Sequence, residues 1–493
     1  MTGDLDNGTL DVSLVHRTRR SNWFVYVAFL FPALAGFLFG YDIGGASGAV
    51  RSLDVKSNAT SGIPLHDIEN ALYTSASLMG ATLGSILVFW IGEPLGRRRE
   101  LMCGSLLYAV GALVSGLGPG SAATVVTGRA VYGLGIAFSM HSAPVYISEM
   151  APADKRGLLV SLKEGFIVLG ILMGFGATAI AEDVLDEATV YRAIWLPTSA
   201  IACVIFIGMS LMPESARWLL LRGDPSDFTL IEFTLIVFTL IEFTLIEFTL
   251  IEFTRSKVVG ASKSGWHEVL RARKALLAGL GLITLQQLTG QPSVLYYQEA
   301  IFDDAGFDHF AAYAAVIIGS AKLVATLVTV FYVDRFGRRP LLFAGITMML
   351  GALAVLSTAF ALGEPSGTDA KQITLPPGWP PVVVAALVLY VCGYQVGFGP
   401  IGWLIISEVF PLRSRSRALS LAVITNFACN LGMTFGLVPM QVALDDLVPG
   451  YGQAILFGIY GALCVFSLGF VFCCVPETKG KTLEEIEEMF NRR

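Results

Sequence analysis

Asp42 and Arg129 are where chemistry could begin in this 493-residue chain. Each lies inside a long apolar stretch, where an ionisable side chain costs roughly 3 kcal/mol or more and needs a partner or a task. Asp42 falls about two turns from the outer end of the first stretch, beside Gly40, Gly44 and Gly45, which would let the backbone loosen next to a carboxylate. Arg129 falls about two turns below the outer end of the fourth, so their depths match. Such a pair stays ionised while closed and gains a proton when it separates, because burial disfavours a lone charge. A fixed salt bridge without proton turnover is the alternative.

A second pair is Glu164 and Lys322. Lys322 precedes Asp334 by twelve residues, roughly 18 Å of helix, and Glu164 lies about 12 Å beyond Arg156. The two can meet near mid-membrane, as an ion pair or as ligand contacts. His141, in the fourth stretch, reads as a satisfied packing residue.

These residues must be held by membrane-spanning helices. The chain is 54% hydrophobic and 15% charged with a mean hydropathy of +0.66, against about 25% charged residues in a soluble domain. Twelve apolar windows are long enough to cross a bilayer: 23–47, 69–91, 101–117, 122–148, 159–181, 193–212, 275–302, 309–334, 341–362, 380–407, 418–442 and 451–475. They are Gly-rich and lack two-residue alternation, which selects helices over barrel strands. The fold class is therefore an all-α membrane protein of twelve transmembrane helices, its lipid partner the bilayer itself.

Residues 1–22 are polar and the first window is full-length, so no cleavable signal is expected. All seven cysteines fall in crossings, against a disulfide framework or metal cluster. Arg17/Arg19/Arg20, Arg97/Arg98/Arg99, Lys155/Arg156, Arg335/Arg338/Arg339, Arg413/Arg415/Arg417 and Lys479/Lys481 occupy alternate loops, which predicts both termini cytoplasmic and Asn58-Ala-Thr60 in an outer loop. The net charge of −6 discriminates little, and nothing points to nucleic acid.

Three signals occur twice in the same order: Gly96-Arg-Arg-Arg and Gly337-Arg-Arg, Pro144 to Glu149 and Pro400 to Glu408, Pro213-Glu-Ser and Pro476-Glu-Thr. A longer outer loop, about 363–379, explains the drift in their spacing. Parallel repeats predict two pseudo-symmetric six-helix bundles with a binding site between them near the midplane. The expected organisation is a tail over 1–22, a bundle over 23–212, a cytoplasmic loop over 213–274, a bundle over 275–475 and a tail over 476–493.

Together with Gly40-Tyr-Asp-Ile-Gly44, Pro213-Glu-Ser-Ala-Arg217, Gln286-Gln287-Leu-Thr-Gly290, Tyr296-Tyr297, Asp334-Arg-Phe-Gly-Arg-Arg339, Gly399-Pro-Ile-Gly-Trp403 and Pro476-Glu-Thr-Lys-Gly480, these signals resemble the sugar porter family of the major facilitator superfamily. The resemblance covers about nine-tenths of the chain, in order and at family spacing, and Gly290-Gln-Pro-Ser-Val-Leu-Tyr-Tyr297 is most similar to a plant subgroup of vacuolar glucose or plastid xylose–proton symporter-like members. It implies a transporter of a monosaccharide, hexose or pentose, coupled to a proton and working by alternating access as a monomer. It leaves plasma, vacuolar and plastid membranes open. The aspartate and arginine of proton-coupled members fall on Asp42 and Arg129; uniporters commonly carry a neutral residue for the aspartate.

A sugar offers hydroxyls that both donate and accept, and one flattened apolar face; amides match the first and an indole the second. Gln286, Gln287, Gln395, Asn426, Asn430 and Trp403, which follows the helix-breaking Gly397-Phe-Gly-Pro400, match family sugar-contact positions. By the same resemblance Glu164 replaces a sugar-contacting Gln and Lys322 an Asn, and Pro292 replaces an asparagine. Interhelical glue is the other role open to the amides.

Glu149 with Arg156, Glu408 with Arg415, and Asp334 with the Arg97/Arg98 and Arg338/Arg339 turns are expected to form interdomain bridges holding the cytoplasmic side shut. The loop 213–274 departs from the family: Phe228 to Thr254 repeats Phe-Thr-Leu-Ile-Glu, whose period gathers apolar residues on no single helix or strand face. That points to an expanded duplication or a gene-model error, and a thirteenth crossing would turn two Arg-rich turns outward. No nucleophile elbow, nucleotide loop or metal spacing appears, so neither an enzyme nor a cofactor is expected. Facilitative uniport and proton antiport remain alternatives within transport, and a non-transporting sugar receptor outside it.

Overall fold

The computed structural model describes residues 23–61, 67–118, 121–151, 156–215, 218–219, 272–296, 311–365, 373–410, 415–481, 485–486 and 489. The repeat at 228–254 lies outside them, as do the side chains of Arg156, Asp334 and Arg415.

The helices are α1 (Trp23–Ser61), α2 (Asp67–Leu95), α3 (Arg97–Leu117), α4 (Ala122–Met150), α5 (Arg156–Val184), α6 (Val190–Leu211), α7 (Arg273–Leu288), α8 (Gln291–Tyr296), α9 (Ala311–Phe336), α10 (Arg338–Ala361), α11 (Trp379–Val396), α12 (Gly399–Val409), α13 (Arg415–Leu447) and α14 (Gly452–Cys474). Among the described residues eleven spans are long and apolar enough to cross a membrane, α11 and α12 counting as one. The seventh window, expected to be continuous over 275–302, is instead split between α7 and α8. Gly290 turns the chain there at φ +97°, and a Cβ on it would strike the Tyr460 ring at 2.4 Å, so packing holds the break. Tyr390 donates to the Thr289 carbonyl that the break frees (3.0 Å).

The first window also ends differently from expectation. α1 runs on to Ser61, so Asn58 sits in its last turns rather than in a loop, and Asp42 lies near mid-helix rather than two turns from its end. Between α10 and α11 a short antiparallel pair joins Glu364–Pro365 to Ile373–Thr374.

Large apolar side chains such as Leu83, Trp90, Phe331 and Phe472 face outward, as lipid-facing surfaces require. Inside, α1 lies on α5 and α2 on α4. Gly40, Gly44 and Gly48 recur every fourth residue along α1; a Cβ on Gly40 would sit 1.8 Å from the Ile167 carbonyl oxygen and one on Gly44 2.2 Å from that of Ile171. Gly170 and Gly174 of α5 answer them, pressed on the Phe37 and Tyr41 carbonyls. The glycines beside Asp42 therefore serve close helix approach, not a loosened backbone.

Candidate functional site

The Asp42–Arg129 site is built by three helices. Arg129, from α4, grips both carboxylate oxygens of Asp42 on α1, with Nη2 to Oδ2 at 3.1 Å. Ser77 of α2 closes the ring, donating to Asp42 Oδ2 at 3.0 Å while accepting from Arg129 Nη2 at 3.1 Å. Gly133, one turn along α4, lets the Ser77 backbone come this near, since a Cβ there would meet Ser77 O at 1.9 Å. Asp42 and Arg129 are each 2% exposed. The guanidinium also lies 5.1 Å from the Trp195 ring and 5.9 Å from that of Tyr132, which replaces lost hydration with ring electron density. Sequence reasoning matched Asp42 with Arg129 but missed Ser77 and Trp195. A serine or tryptophan in an apolar helix carries no spacing signal of its own.

The amide set gathers around the two broken crossings. Gln286 donates to Phe398 O at 3.0 Å, the carbonyl at the start of α12 that also accepts from the Gly402 amide at 3.1 Å. Gln287 donates to Asn426 Oδ1 at 2.6 Å, Gln395 to Thr326 Oγ1 at 2.6 Å, and Thr434 to Asn430 Oδ1 at 3.3 Å. Each glutamine thus uses its NH2 group on the protein, while Oε1 of Gln286, Gln287 and Gln395 is buried with no hydrogen-bond partner. Three orphaned acceptors in one region suit a ligand that brings O–H donors. Trp403, half-buried on α12, packs against both large apolar clusters, one built mainly from α7–α14 and the other mainly from α1–α6. Pro292 and Ser293 are buried in α8, and Ser293 is tied to Tyr460 at 3.0 Å.

Glu164 and Lys322 face each other across α5 and α9, which pack together, but no salt bridge joins them. Lys322, 2% exposed, points its ammonium at the Tyr394 ring, 5.5 Å from the centroid. Glu164 interacts through space with both Lys322 and its neighbour Lys163. Lys163, a buried cation on α5, escaped the sequence reading.

At the Arg-rich end the two halves repeat one construction. Arg97 meets Glu149 at 3.6 Å, and Ser215 donates to the same carboxylate; Arg338 meets Glu408 at 2.7 Å, and Thr478 donates to it at 2.6 Å. The Arg98 amide is capped by Glu214 at 2.9 Å, the Arg338 and Arg339 amides by Glu477 at 3.1 and 2.9 Å. Arg98 and Arg339 then reach carbonyls of Ser210 and Phe472 at the ends of α6 and α14. The expected interdomain bridges are thus intradomain where described: Glu149 and Glu408 take the arginine at the start of a neighbouring helix in their own half, because the preceding glycine turn (φ +92° at Gly96, +95° at Gly337) aims it at them. Burial pushes the Glu214 carboxyl above the ordinary glutamate range despite its amide bonds, whereas for Glu477 three backbone amides outweigh burial and hold it below.

The profile of the family described as sugar (and other) transporter matches residues 28–490. D-xylose-proton symporter-like 2 of Arabidopsis thaliana is 42% identical over 475 residues, covering 93% of this chain and 89% of the relative. The galactose-proton symporter of Escherichia coli is 29% identical over 473 residues, covering 94% and 93%. The major facilitator superfamily proton:xylose symporter XylE, solved with 6-bromo-6-deoxy-D-glucose, overlays at TM-score 0.80 with 26% identity, over 95% of this chain and 99% of that one. Its inward open form, from E. coli, overlays at 0.72 with 25% identity, over 94% and 99%.

Proposed function

Because the chain belongs to the sugar (and other) transporter family, with the major facilitator fold, we propose that it carries a monosaccharide across a membrane together with a proton, by alternating access. The observation that carries the reading is the Asp42–Arg129–Ser77 ring: a carboxylate and a guanidinium, each 2% exposed, that neutralise one another on three different helices. Small relative movement of α1 against α4 leaves Asp42 without its cation. A lone buried charge is costly, so the carboxylate then takes a proton. Re-forming the pair on the other side expels it.

The sugar reading rests on the orphaned oxygens of Gln286, Gln287 and Gln395, with Asn426, Asn430 and Trp403 beside them. Hydroxyl hydrogens satisfy those oxygens and the indole covers an apolar sugar face. The relatives that act on xylose and galactose favour a pentose or hexose. In this reading the Arg-rich end and both termini are cytoplasmic, the bundles 23–212 and 275–475 rock as two bodies, and one chain suffices. Glu149, Glu408, Arg97, Arg98, Arg338 and Arg339 brace each bundle's inner end, with Arg156, Asp334 and Arg415 as candidates for the same service.

Uptake of labelled xylose, glucose and galactose into proteoliposomes, with and without an imposed pH gradient, tests this. Accumulation should follow the gradient, and Asp42→Asn should abolish it while sugar exchange persists. Equal equilibration with and without the gradient would favour facilitative uniport instead.

A further inference from the structure

His141 is buried at 4% exposure in the Arg-rich half of α4, away from the sites above. Its Nδ1 lies 2.6 Å from Glu100 Oε1 on α3, and its Nε2 lies 2.8 Å from Ser420 Oγ on α13. Glu100 is wholly buried and Ser420 is 7% exposed. The first contact stays within one bundle; the second crosses to the other. Expected as a satisfied packing residue, the imidazole has both ring nitrogens partnered and also joins the two bodies whose separation opens the Arg-rich end.

Its surroundings support the same role. Gly92 of α2 presses on this pair, a Cβ there lying 3.3 Å from both His141 Cε1 and Glu100 Oε2. The next residue, Glu93, meets Arg417 of α13 at 3.8 Å, again across the bundles. Arg417 and Ser420 are three apart on one helix and share a face. A patch of α2 and α4, with α3 behind it through Glu100, thus meets one face of α13.

We propose that His141 is a positioning residue of the transport cycle: held by Glu100, it latches the two bundles together through Ser420, and its release accompanies inward opening. The latch survives a change in protonation. A neutral ring donates from Nδ1 to Glu100 and accepts the Ser420 hydroxyl at Nε2; a protonated ring donates to both. The proposal rests on the alternating-access reading, but its test needs neither sugar nor a proton gradient.

The test is hydrogen–deuterium exchange of the purified full chain, comparing peptides from the Arg-rich ends of α4 and α13 with peptides from their opposite ends. One interbundle hydrogen bond biases the opening equilibrium about threefold to tenfold. Ser420→Ala should raise exchange at the Arg-rich ends by that factor and leave the opposite ends unchanged; Ser420→Thr, which keeps the hydroxyl, should match the wild type. Glu100→Gln, which keeps an acceptor for Nδ1, should fall between them. Unchanged exchange in Ser420→Ala, an equal rise at both ends, or Ser420→Thr behaving as Ser420→Ala would each overturn the latch. Failed proton-driven uptake would leave these outcomes readable, and failure here would leave the coupling at Asp42 standing.

Discussion

The two polar regions at membrane depth are satisfied in opposite ways. Around Asp42 and Arg129 every carboxylate oxygen has a partner, and the ring closes upon itself through Ser77. Around Gln286, Gln287 and Gln395 the amide nitrogens are used and the oxygens are left over. In the first region the carboxylate is fully partnered without a ligand, only Nε of Arg129 being left over, and the pair must be broken to take a proton. The second is incomplete until something with hydroxyls arrives. One bundle therefore stores a charge balance and the other a hydrogen-bond deficit.

The strongest way to break this contrast is Arg129→Met, which strands a buried carboxylate and should cost about 3–5 kcal/mol. Thermal unfolding in detergent should show the loss, with Asp42→Asn added to it recovering part; no recovery would mean that the ring is not a mutual neutralisation. Lys322→Met should come next. It should impair uptake more than Lys322→Met combined with Glu164→Gln, with a coupling of roughly 0.5–1 kcal/mol because the charges act through space. Equal defects would separate the two residues.

Gln287→Leu probes the unsatisfied region. It should raise the KM for sugar about threefold to tenfold and leave the melting temperature near that of the wild type; a large stability loss would recast the amide as helix glue. The smallest effects belong to the paired caps. A raised carboxyl such as Glu214 favours its protonated form, so its contribution to stability grows as pH falls, whereas the depressed Glu477 contributes at neutral pH and loses that as acid protonates it. Glu477→Gln should therefore lower the melting temperature at neutral pH, with the difference shrinking in acid, and Glu214→Gln should not.

Apolar windows made eleven of the expected crossings legible at full length, because bilayer thickness acts on each segment alone. Breaks were legible where glycine and proline cluster, as at Gly397 to Pro400, but not at Thr289–Gly290, where one glycine decides through a ring 170 residues away. Asp42 and Arg129 stood out by cost. Their third partner did not, since Ser77 is chosen by the approach of α2 to α4. Likewise Glu149 and Glu408 were read as gate residues, but their arginines follow from how one turn is aimed. Which side chains meet across helices is a property of packing, and no single segment contains it.

The glycine seam between α1 and α5 has a mechanical consequence. With carbonyl oxygens seated where methyl groups would be, neither helix can slide or roll on the other without collision. They form a single rod carrying Asp42 on one shaft and Glu164 on the other. Were that rod to tilt, the distance between those carboxylates would stay constant while the distance from Glu164 to Lys322 would change, which would gear the two charged sites together.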